Sequence, residues 1–324
     1  MKKIVVKILI IGAGQIGSRH LQGALTNRNK LFITVVDPSL SALRLSRKRA
    51  KEIKFGNPKT TVTYTKKIPK NKTFEVCIVS TNADKRAKVT IDLLGSCNLS
   101  YLVFEKVVFQ KKKDFEIISK ILKKKDINAW VNCPRRMFNI YKEIRKKIDL
   151  NLPVNMEVTG SSWGMACNAI HFIDLFSYFI NDSNFIIAEK NFSKNIFESK
   201  RGKNFYEISG SMKGINGKHS ILISCEESKK NSLYIKIKNG NIENTVDENK
   251  KIWIKNTNGL IKSKKINIPY QSDMTGKLID NLINKRCRLV SYENSSKNHI
   301  PLLKTIKSHL SKILKKKLNE CPIT

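Results

Sequence analysis

The sequence lacks any long uninterrupted run of apolar residues, although 40% of its 324 residues are hydrophobic. None of its apolar stretches approaches the roughly 18 residues that a membrane-spanning helix needs. The start, Met1-Lys2-Lys3 followed by apolar residues, is similar to a signal peptide, but Lys7 interrupts it and no small-residue cleavage site follows. We therefore expect a globular cytoplasmic protein without a membrane partner, whose first strand lies here.

Paired cysteines are also missing. The seven cysteines form no C-x-x-C pair and have no short regular spacing. An odd, scattered set argues against a disulfide framework and against a zinc ribbon, and we predict no metal site. Cys77 and Cys225 lie in apolar, strand-like runs, so we expect both in the core.

Acidic residues are scarce, with 26 Asp and Glu against 62 Lys and Arg and a formal net charge of +36. Such a charge is compatible with nucleic acid or an anionic surface as a partner. The lysines are spread along the chain, however, and lysine is poor at bidentate recognition of bases. We therefore expect no specific nucleic-acid binding, and favour a positive field that attracts an anionic small molecule.

The length suits two domains, each with its own core. Up to Val131, strand-like runs alternate with helical segments, which is typical of βαβ units and a parallel sheet. From Val154 onward the hairpin signals become frequent, among them Asn239-Gly240. The sequence predicts an α/β protein with a parallel sheet in residues 1–133 and an α+β domain with a mostly antiparallel sheet in residues 134–324.

Four further segments of the second half have a distinct composition. An apolar helix is predicted from Asn168 to Ile180. Two more helices are predicted to close the chain, from Met274 to Asn284 and from Pro301 to Leu318. The segment from Asp182 to Lys203 is polar and rich in Asn and Lys, so we expect an exposed loop there.

The stretch from Ile4 to His20, IVVKILIIGAGQIGSRH, joins a strand-like run to a glycine motif and then to a helical pattern. In such a turn Gly12 permits a tight reversal, Gly14 lets the backbone approach a pyrophosphate, and Gly17 allows the helix to pack closely on the strand. The start of the helix offers free N–H groups and the positive end of its dipole. We predict a phosphate-binding loop made of Gly12, Ala13, Gly14, Gln15, Ile16 and Gly17.

A second strand-like run, Phe32 to Val36, ends in Asp37, which follows Gly17 by 20 residues. The acidic residue of a dinucleotide site is expected at this distance. An aspartate there accepts hydrogen bonds from the ribose hydroxyls and repels a 2′-phosphate, so we favour NAD; Arg44 and Arg47 downstream leave NADP open. The alternative is a glycine-rich turn in another kind of α/β protein, with Asp37 only ending a strand.

Ligands of parallel sheets bind at the carboxyl ends of the strands. Thr81 with Asn82, and Glu105 with Lys106, directly follow two further strand-like runs, so we expect all four beside the cofactor. A lysine near the nicotinamide can hydrogen-bond a substrate hydroxyl, and burial would lower its pKa toward a useful range. In a chain so rich in lysine, the alternative for Lys106 is a solvated surface residue.

His171 and Asp174 are three residues apart in a predicted helix and therefore share one face. A carboxylate there could orient the imidazole for acid–base chemistry. The alternative is a buried histidine whose polar atoms Asp174 satisfies. His20, which follows the glycine motif, is expected to pack.

These segments together resemble the Gfo/Idh/MocA oxidoreductases, a family that includes glucose–fructose oxidoreductase and inositol dehydrogenase. The resemblance covers nearly the whole chain and rests on five segments: IGAGQIGSRH, STNADKRAKVTIDLL, FEKVV, CPRRMFNIYKEIRKKI and WGMACNAIHFIDLF. It implies an N-terminal Rossmann domain with a doubly wound parallel sheet. It also implies a C-terminal α+β domain whose open sheet often forms the oligomer interface, and hence a homodimer or homotetramer.

The resemblance also implies roles for individual residues. It makes Lys106 the catalytic lysine and matches His171 to the family's histidine. The expected substrate contacts lie in the last two of the five segments, and they are Arg135, Arg136, Trp163, Asn168, His171 and Asp174.

Two positions depart from the family pattern. Val107 replaces the proline that follows the lysine. The family often has an aspartate four residues before its histidine, and this chain has Cys167 there, followed by Asn168. Neither side chain replaces a carboxylate, so acid–base work would fall on Lys106 and His171, with Asn168 binding substrate.

The resemblance thus implies an NAD(P)-dependent oxidoreductase that moves a hydride between nicotinamide and a hydroxyl or ketone carbon. The expected substrate is a sugar or nucleotide sugar, in surface polysaccharide or sugar metabolism. The alternative is a non-catalytic dinucleotide-binding regulator or sensor whose basic surface meets an acidic partner, and the missing aspartate favours it.

Overall fold

The computed structural model describes residues 5–324, which divide into two compact units. The first unit runs up to Asn132 and also includes Pro269–Tyr292, while the second contains Cys133–Ile268 and Glu293–Thr324. The predicted boundary after residue 133 did not anticipate that the chain returns to the first unit near its end. Among these residues, no helix is both long enough and apolar enough to cross a lipid bilayer.

Within the described residues, the first unit has a seven-stranded sheet. Its strands are β1 (Val5–Ile11), β2 (Lys30–Val36), β3 (Thr61–Thr65), β4 (Lys72–Val79), β5 (Cys97–Phe104), β6 (Asn128–Val131) and β15 (Val290–Ser291). The order is β15-β6-β5-β4-β1-β2-β3, and all neighbours are parallel except β15 and β6. Leaving out β15, this is the strand order of a Rossmann domain, whose direction of winding reverses between β1 and β4. The predicted parallel sheet is confirmed; Ile4, the predicted start of β1, lies outside the described residues.

The central strands of this sheet are buried on both faces. Ile8, Leu9 and Ile10 in β1 and Cys77 in β4 have no exposed surface, which explains why these strands are continuous apolar runs in the sequence. The helices of the unit are α1 (Gln15–Leu25), α2 (Leu40–Lys51), α3 (Ala83–Ser96), α4 (Lys112–Lys124) and α7 (Gln271–Ile283).

Helix α7 belongs to the first unit because it packs closely on α1. The side-chain amide of Asn27 donates to the carbonyl oxygen of Gly276 at 2.9 Å. A Cβ atom built on Gly23 would lie 2.8 Å from the carbonyl oxygen of Ser272, so only glycine allows this approach.

The second unit has an eight-stranded sheet within the described residues. Its strands are β7 (Val154–Ser161), β8 (Ile186–Glu198), β9 (Tyr206–Asn216), β10 (His219–Cys225), β11 (Ser232–Asn239), β12 (Ile242–Asp247), β13 (Ile252–Thr257) and β14 (Leu260–Lys265). The order is β14-β13-β12-β11-β7-β10-β9-β8, and only β7 and β10 are parallel neighbours. The predicted, mostly antiparallel sheet is therefore confirmed.

Strand β7 is preceded by a short 3₁₀ helix (Pro134–Met137) and by helix α5 (Asn139–Arg145). It is followed by helix α6 (Met165–Ile180). Helix α6 contacts β7, β9 and β10, and nearly all of its residues are buried. Helix α8 (Tyr292–Ile313) begins at the end of the first unit and continues into the second.

Two predictions in this half are wrong. The expected loop from Asp182 to Lys203 contains strand β8, which forms the edge of the sheet and has mostly exposed residues because neither of its faces is buried. The last helix begins at Tyr292 rather than at Pro301, which lies inside it. Proline in a helix interior costs one backbone hydrogen bond, but packing of the surrounding residues can outweigh that cost, so proline does not always mark the start of a helix.

Candidate functional site

The glycine motif forms the turn between β1 and α1. Gly12 has φ +96°, and a Cβ atom on it would lie 2.8 Å from the backbone of Ser80 at the end of β4. A Cβ atom on Gly17 would lie 1.7 Å from the carbonyl oxygen of Gly12. A Cβ atom on Gly14 would meet no atom of the chain within 4 Å. Gly12 and Gly17 therefore shape the turn, whereas Gly14 faces open space.

The start of helix α1 leaves its backbone donors available. Gly14 is the N-cap residue and provides no side-chain cap, and the first turn contains no acidic residue. Arg49 of helix α2 fixes Gln15 by donating hydrogen bonds to its backbone oxygen at 2.8 Å and to its side-chain oxygen at 2.6 Å. Gln15 and Ile16 are exposed, and an uncapped helix start of this kind can offer its backbone N–H groups to a phosphate.

Asp37 lies beside this turn at the end of β2. Its Oδ2 accepts a hydrogen bond from the backbone N–H of Ala13 at 2.7 Å, and its Oδ1 accepts one from Ser39 at 2.8 Å. Each oxygen keeps a second lone pair for a further donor. The half-buried carboxylate is thus fixed next to the glycine turn, as a ribose-binding acid requires.

Thr81 and Asn82 follow β4 on the other side of the same turn. The backbone N of Thr81 would lie 2.9 Å from a Cβ atom on Gly12. Within residues 5–324, the buried hydroxyl of Thr81 finds no hydrogen-bond partner. Asn82 is exposed at the N-cap of α3. Thr81 therefore presents a polar atom that a bound group could satisfy.

Arg86, which sequence reasoning missed, holds the segment that contains Lys106. Its buried guanidinium donates to backbone carbonyls at both strand ends: those of Glu105 at 2.6 Å, Val108 at 3.1 Å, and also Val107 and Thr81. The buried side of α3 includes Ala83, Ala87 and Thr90. The helical spacing of Arg86 relative to these residues was the available signal that it points inward.

Lys106 is buried, with 8% of its surface exposed, and is not the solvated lysine of the alternative hypothesis. The peptide bond between Lys106 and Val107 is cis. The preceding Glu105 is also buried, and its Oε1 accepts hydrogen bonds from His20 and Asn132. Burial alone would raise the pKa of Glu105, but these bonds and the positive charge of Lys106 outweigh it and lower the pKa below its usual value.

The predicted substrate residues lie in the second unit. Arg135 donates to both carboxylate oxygens of Glu248, at 2.9 and 2.7 Å, and Arg136 donates to both oxygens of Asp174 at the same distances. Both arginines are largely buried. Asp174, considered above as a partner for His171, is therefore engaged by Arg136. A substrate anion would have to share either arginine with a carboxylate, and binding by Arg135 or Arg136 stays a prediction.

The start of helix α6 gathers several polar groups. Gly164, at φ +74°, is its N-cap, and the amide of Asn168 donates to the carbonyl oxygen of Trp163 at 2.8 Å. The Trp163 indole N–H donates to Ser224, and its ring packs edge-on against Phe172. The structure thus brings Trp163 and Asn168 together.

His171 lies one helical turn beyond Cys167 on α6 and is half-buried. Residues four apart share a helix face, so the imidazole and the Cys167 thiol lie on the same side of α6. Sequence reasoning did not foresee that Glu207 of β9 accepts a hydrogen bond from this thiol.

The first unit fits a dinucleotide. Gly14 leaves room, helix α1 offers uncapped donors, Asp37 offers acceptors and Thr81 offers a buried hydroxyl. By contrast, the described residues hold no group of three or more His, Cys, Asp and Glu side chains that could bind a metal ion.

No family sequence model and no curated protein sequence matches this chain. Solved structures do share its fold. A Gfo/Idh/MocA family oxidoreductase from Vibrio cholerae has a TM-score of 0.68 and 12% identity, covering 96% of this chain and 100% of its own. UDP-N-acetylglucosamine 3-dehydrogenase GnnA from Acidithiobacillus ferrooxidans has a TM-score of 0.67 and 9% identity. The match covers 93% of this chain and 96% of GnnA.

A protein of another kind has the same fold. A super-repressor mutant of Gal80p from Saccharomyces cerevisiae has a TM-score of 0.69 and 11% identity, covering 95% of this chain and 97% of its own. The chain therefore has the two-domain fold of the Gfo/Idh/MocA oxidoreductases, as the sequence resemblance implied. At these identities the fold is what is shared.

Proposed function

We propose that this chain is an NAD(P)-dependent oxidoreductase that acts on a hydroxyl-bearing carbon of a sugar or nucleotide sugar. The observation that carries the proposal is the glycine turn of the first unit, with its open Gly14, its uncapped helix and the adjacent Asp37 carboxylate. The shared fold with oxidoreductases, one of them named for a nucleotide sugar, supports the same class. The net charge of +36 suits an anionic cofactor and a nucleotide-linked substrate.

The backbone N–H groups of Gln15 and Ile16 would hold the pyrophosphate, and Asp37 would accept hydrogen bonds from the adenosine ribose. The Asp37 carboxylate leads us to propose NAD rather than NADP. When bound, the oxidised cofactor supplies a hydride acceptor for the carbinol C–H. The chain's own task is then to bind the sugar and to accept the hydroxyl proton.

We assign proton transfer to Lys106, with His171 as the second proton-transfer group. In the oxidation direction, the neutral amine of Lys106 takes the hydroxyl proton as the C–H electron pair leaves with hydride, and a carbonyl group is formed. Arg86 and Glu105 fix the segment that carries Lys106, and the side chain of Lys106 is buried there. A positioned base of this kind contributes roughly 10²- to 10⁴-fold in rate.

The test is turnover with NAD⁺ and with NADP⁺ on glucose, myo-inositol, UDP-glucose and UDP-N-acetylglucosamine, followed by nicotinamide absorbance. Lys106→Ala should keep its calorimetric affinity for NADH and lose at least about 10²-fold in turnover. The matched control is Lys120→Ala, which removes an exposed lysine of α4 and should change neither quantity. Full activity of Lys106→Ala would refute the assignment of Lys106.

The second candidate is a non-catalytic dinucleotide-binding regulator. Gal80p, a protein of this fold, is described as a repressor in its mutant form, and Cys167 stands where the family often has an aspartate. A regulator would bind NADH with normal affinity and turn over no member of the panel with either cofactor. Binding without turnover would therefore favour this candidate over the enzyme.

A further inference from the structure

Strand β9 brings a carboxylate to the first turn of helix α6. The Oε2 atom of Glu207 accepts a hydrogen bond from the backbone N–H of Ala166 at 2.9 Å. Its Oε1 atom accepts a hydrogen bond from the thiol of Cys167. The carboxylate is thus fixed at both oxygens, and each oxygen keeps acceptor capacity for another donor.

The carboxylate of Glu207 lies close to Gly164, together with two other polar side chains. A Cβ atom on Gly164 would lie 3.2 Å from the amide nitrogen of Asn168, 3.3 Å from Glu207 Oε1 and 3.5 Å from Cys167 Sγ. Three different side chains therefore converge on a glycine that adds no side chain of its own. Such a cluster of donors and acceptors is the kind of group that orients a polyhydroxylated ligand.

The cluster also adjoins the face of α6 that carries His171. Cys167, which touches Glu207, precedes His171 by one helical turn. A sugar hydroxyl bonded to Glu207 would therefore bind on the same side of α6 as the imidazole. The expected substrate residue Asn168 belongs to the same cluster.

Cys167 and Glu207, which are in contact, contribute one carboxylate between them. Sγ of Cys167 and Oε1 of Glu207 are in hydrogen-bond contact, so an aspartate at 167 would place two carboxylates against each other. In this chain the helix provides a neutral thiol and β9 provides the acid. Burial raises the pKa of Glu207, and the hydrogen bonds from Cys167 and Ala166, together with the positive charge of Arg201, offset this only in part.

We propose that Glu207 is a substrate-binding and specificity-determining residue, whose ionised carboxylate accepts a hydrogen bond from a hydroxyl of the sugar. The proposal rests on the proposed function, since it concerns the same substrate. It assigns to β9 the acidic group that the sequence of α6 lacks. Hydrogen bonds to charged groups are the strong ones, so loss of the charge should be felt mainly as lost affinity.

The experiment measures KM, kcat and their pH dependence for the panel sugar with the highest turnover. Glu207→Gln should raise KM about 10- to 100-fold, with a smaller change in kcat and an unchanged affinity for NADH. In the native chain KM should fall as the pH rises through the pKa of Glu207, and in Glu207→Gln this step in the pH profile of KM should disappear. Glu189→Gln, which alters an exposed glutamate of β8, is the matched control and should leave KM unchanged.

A second-site variant tests the same idea without a loss of charge. In Glu207→Gln with Cys167→Asp the carboxylate moves to the helix, and KM should return to within about tenfold of the native value. Cys167→Asp alone places two acids in contact, which raises the pKa of one of them, so the pH midpoint of KM should move upward. A merely structural role for Glu207 predicts neither the rescue nor the shift.

The outcomes separate the two proposals. If the native chain turns over a sugar and Glu207→Gln keeps the native KM and pH profile, the assignment of Glu207 is overturned while the proposed function stands. If Glu207→Gln does not fold, Cys167→Asp provides the test. A pH midpoint of KM that stays at the native value in Cys167→Asp would overturn the assignment of Glu207. If the native chain turns over no sugar with either cofactor, the proposed function fails and the assignment of Glu207 falls with it.

Discussion

Nε2 of His20 lies 2.8 Å from Oε1 of Glu105, and neither side chain is appreciably exposed. His20 belongs to α1, whose start carries the glycine turn, and Glu105 immediately precedes Lys106. Nδ1 of the same imidazole lies 2.9 Å from the hydroxyl of Thr275 in α7. One buried histidine therefore connects the helix proposed to bind the cofactor, the segment of the proposed catalytic lysine and helix α7 from the later part of the chain.

Glu105→Gln should destabilise the first unit by about 2 kcal/mol near neutral pH, because a buried charge-assisted bond is replaced by a neutral one. The pKa of Glu105 is lower when folded than the unfolded value of about 4.3. Its ionisation therefore stabilises the fold above that value, and this contribution is lost as the pH falls through the folded-state pKa. The difference between native and variant should shrink in the same acidic range.

Urea denaturation at pH 7 and pH 3 measures both effects. Glu116→Gln is the control, since Glu116 is an exposed residue of α4 that forms a surface ion pair with Lys112. It should change the free energy of unfolding by no more than about 0.5 kcal/mol at either pH. A difference between native and Glu105→Gln that stays constant from pH 7 to pH 3 would contradict the role of the Glu105 charge.

Asp174→Ala should destabilise the second unit by about 3–5 kcal/mol, because it leaves the guanidinium of Arg136 without its buried carboxylate. The double variant Arg136→Met with Asp174→Leu removes both charges and should recover most of this loss. Thermal and urea unfolding measure the effect. Asp92→Ala, which breaks the exposed pair with Lys88, should cost less than about 1 kcal/mol. Equal losses of unfolding free energy in Asp174→Ala and Asp92→Ala would argue against a stabilising buried ion pair between Arg136 and Asp174.

Much of the first unit could be predicted from sequence, for a physical reason. Its central strands are covered on both faces and therefore are continuous apolar runs, such as Ile8 to Ile11. The glycine motif and Asp37 stand at a characteristic spacing because one helix, α1, and one strand, β2, separate them. The structure brings Asp37 to Ala13, as the spacing implies.

The second unit was harder to predict because its decisive contacts join distant parts of the chain. Arg136 and Asp174 are 38 residues apart, and Arg135 and Glu248 are 113 apart. No local pattern marks such partners. Glu207 lies in an ordinary strand sequence, and only the packing of β9 on α6 places it beside Cys167.

Strand β8 shows a different limit. An edge strand pairs on one side only, and most of its side chains remain exposed, so its sequence shows no apolar alternation. Its pairing with β9 also shifts register twice, between Ile187 and Glu189 and between Phe192 and Ile196. Composition alone therefore indicated a loop where the partner strand imposes extended structure.

The glycine turn permits the sharpest separation of folding from binding. Gly14 has φ −68°, outside the left-handed region that favours glycine, and a Cβ atom on it would meet no atom of the chain within 4 Å. Gly14→Ala should therefore keep its melting temperature within a few degrees of the native value. Its methyl group would occupy the space proposed for the pyrophosphate, so the affinity for NADH should fall by at least about tenfold.

Gly17→Ala is the matched opposite, because its methyl group would overlap the carbonyl oxygen of Gly12 at 1.7 Å. This substitution must push α1 away from β1, and we expect a loss of about 3 kcal/mol in stability as well as a loss of NADH binding. Calorimetric titration with NADH and thermal unfolding of both variants measure the contrast. Native NADH affinity in a folded Gly14→Ala protein would mean that the dinucleotide does not approach this turn, and the proposed cofactor site would have to be abandoned.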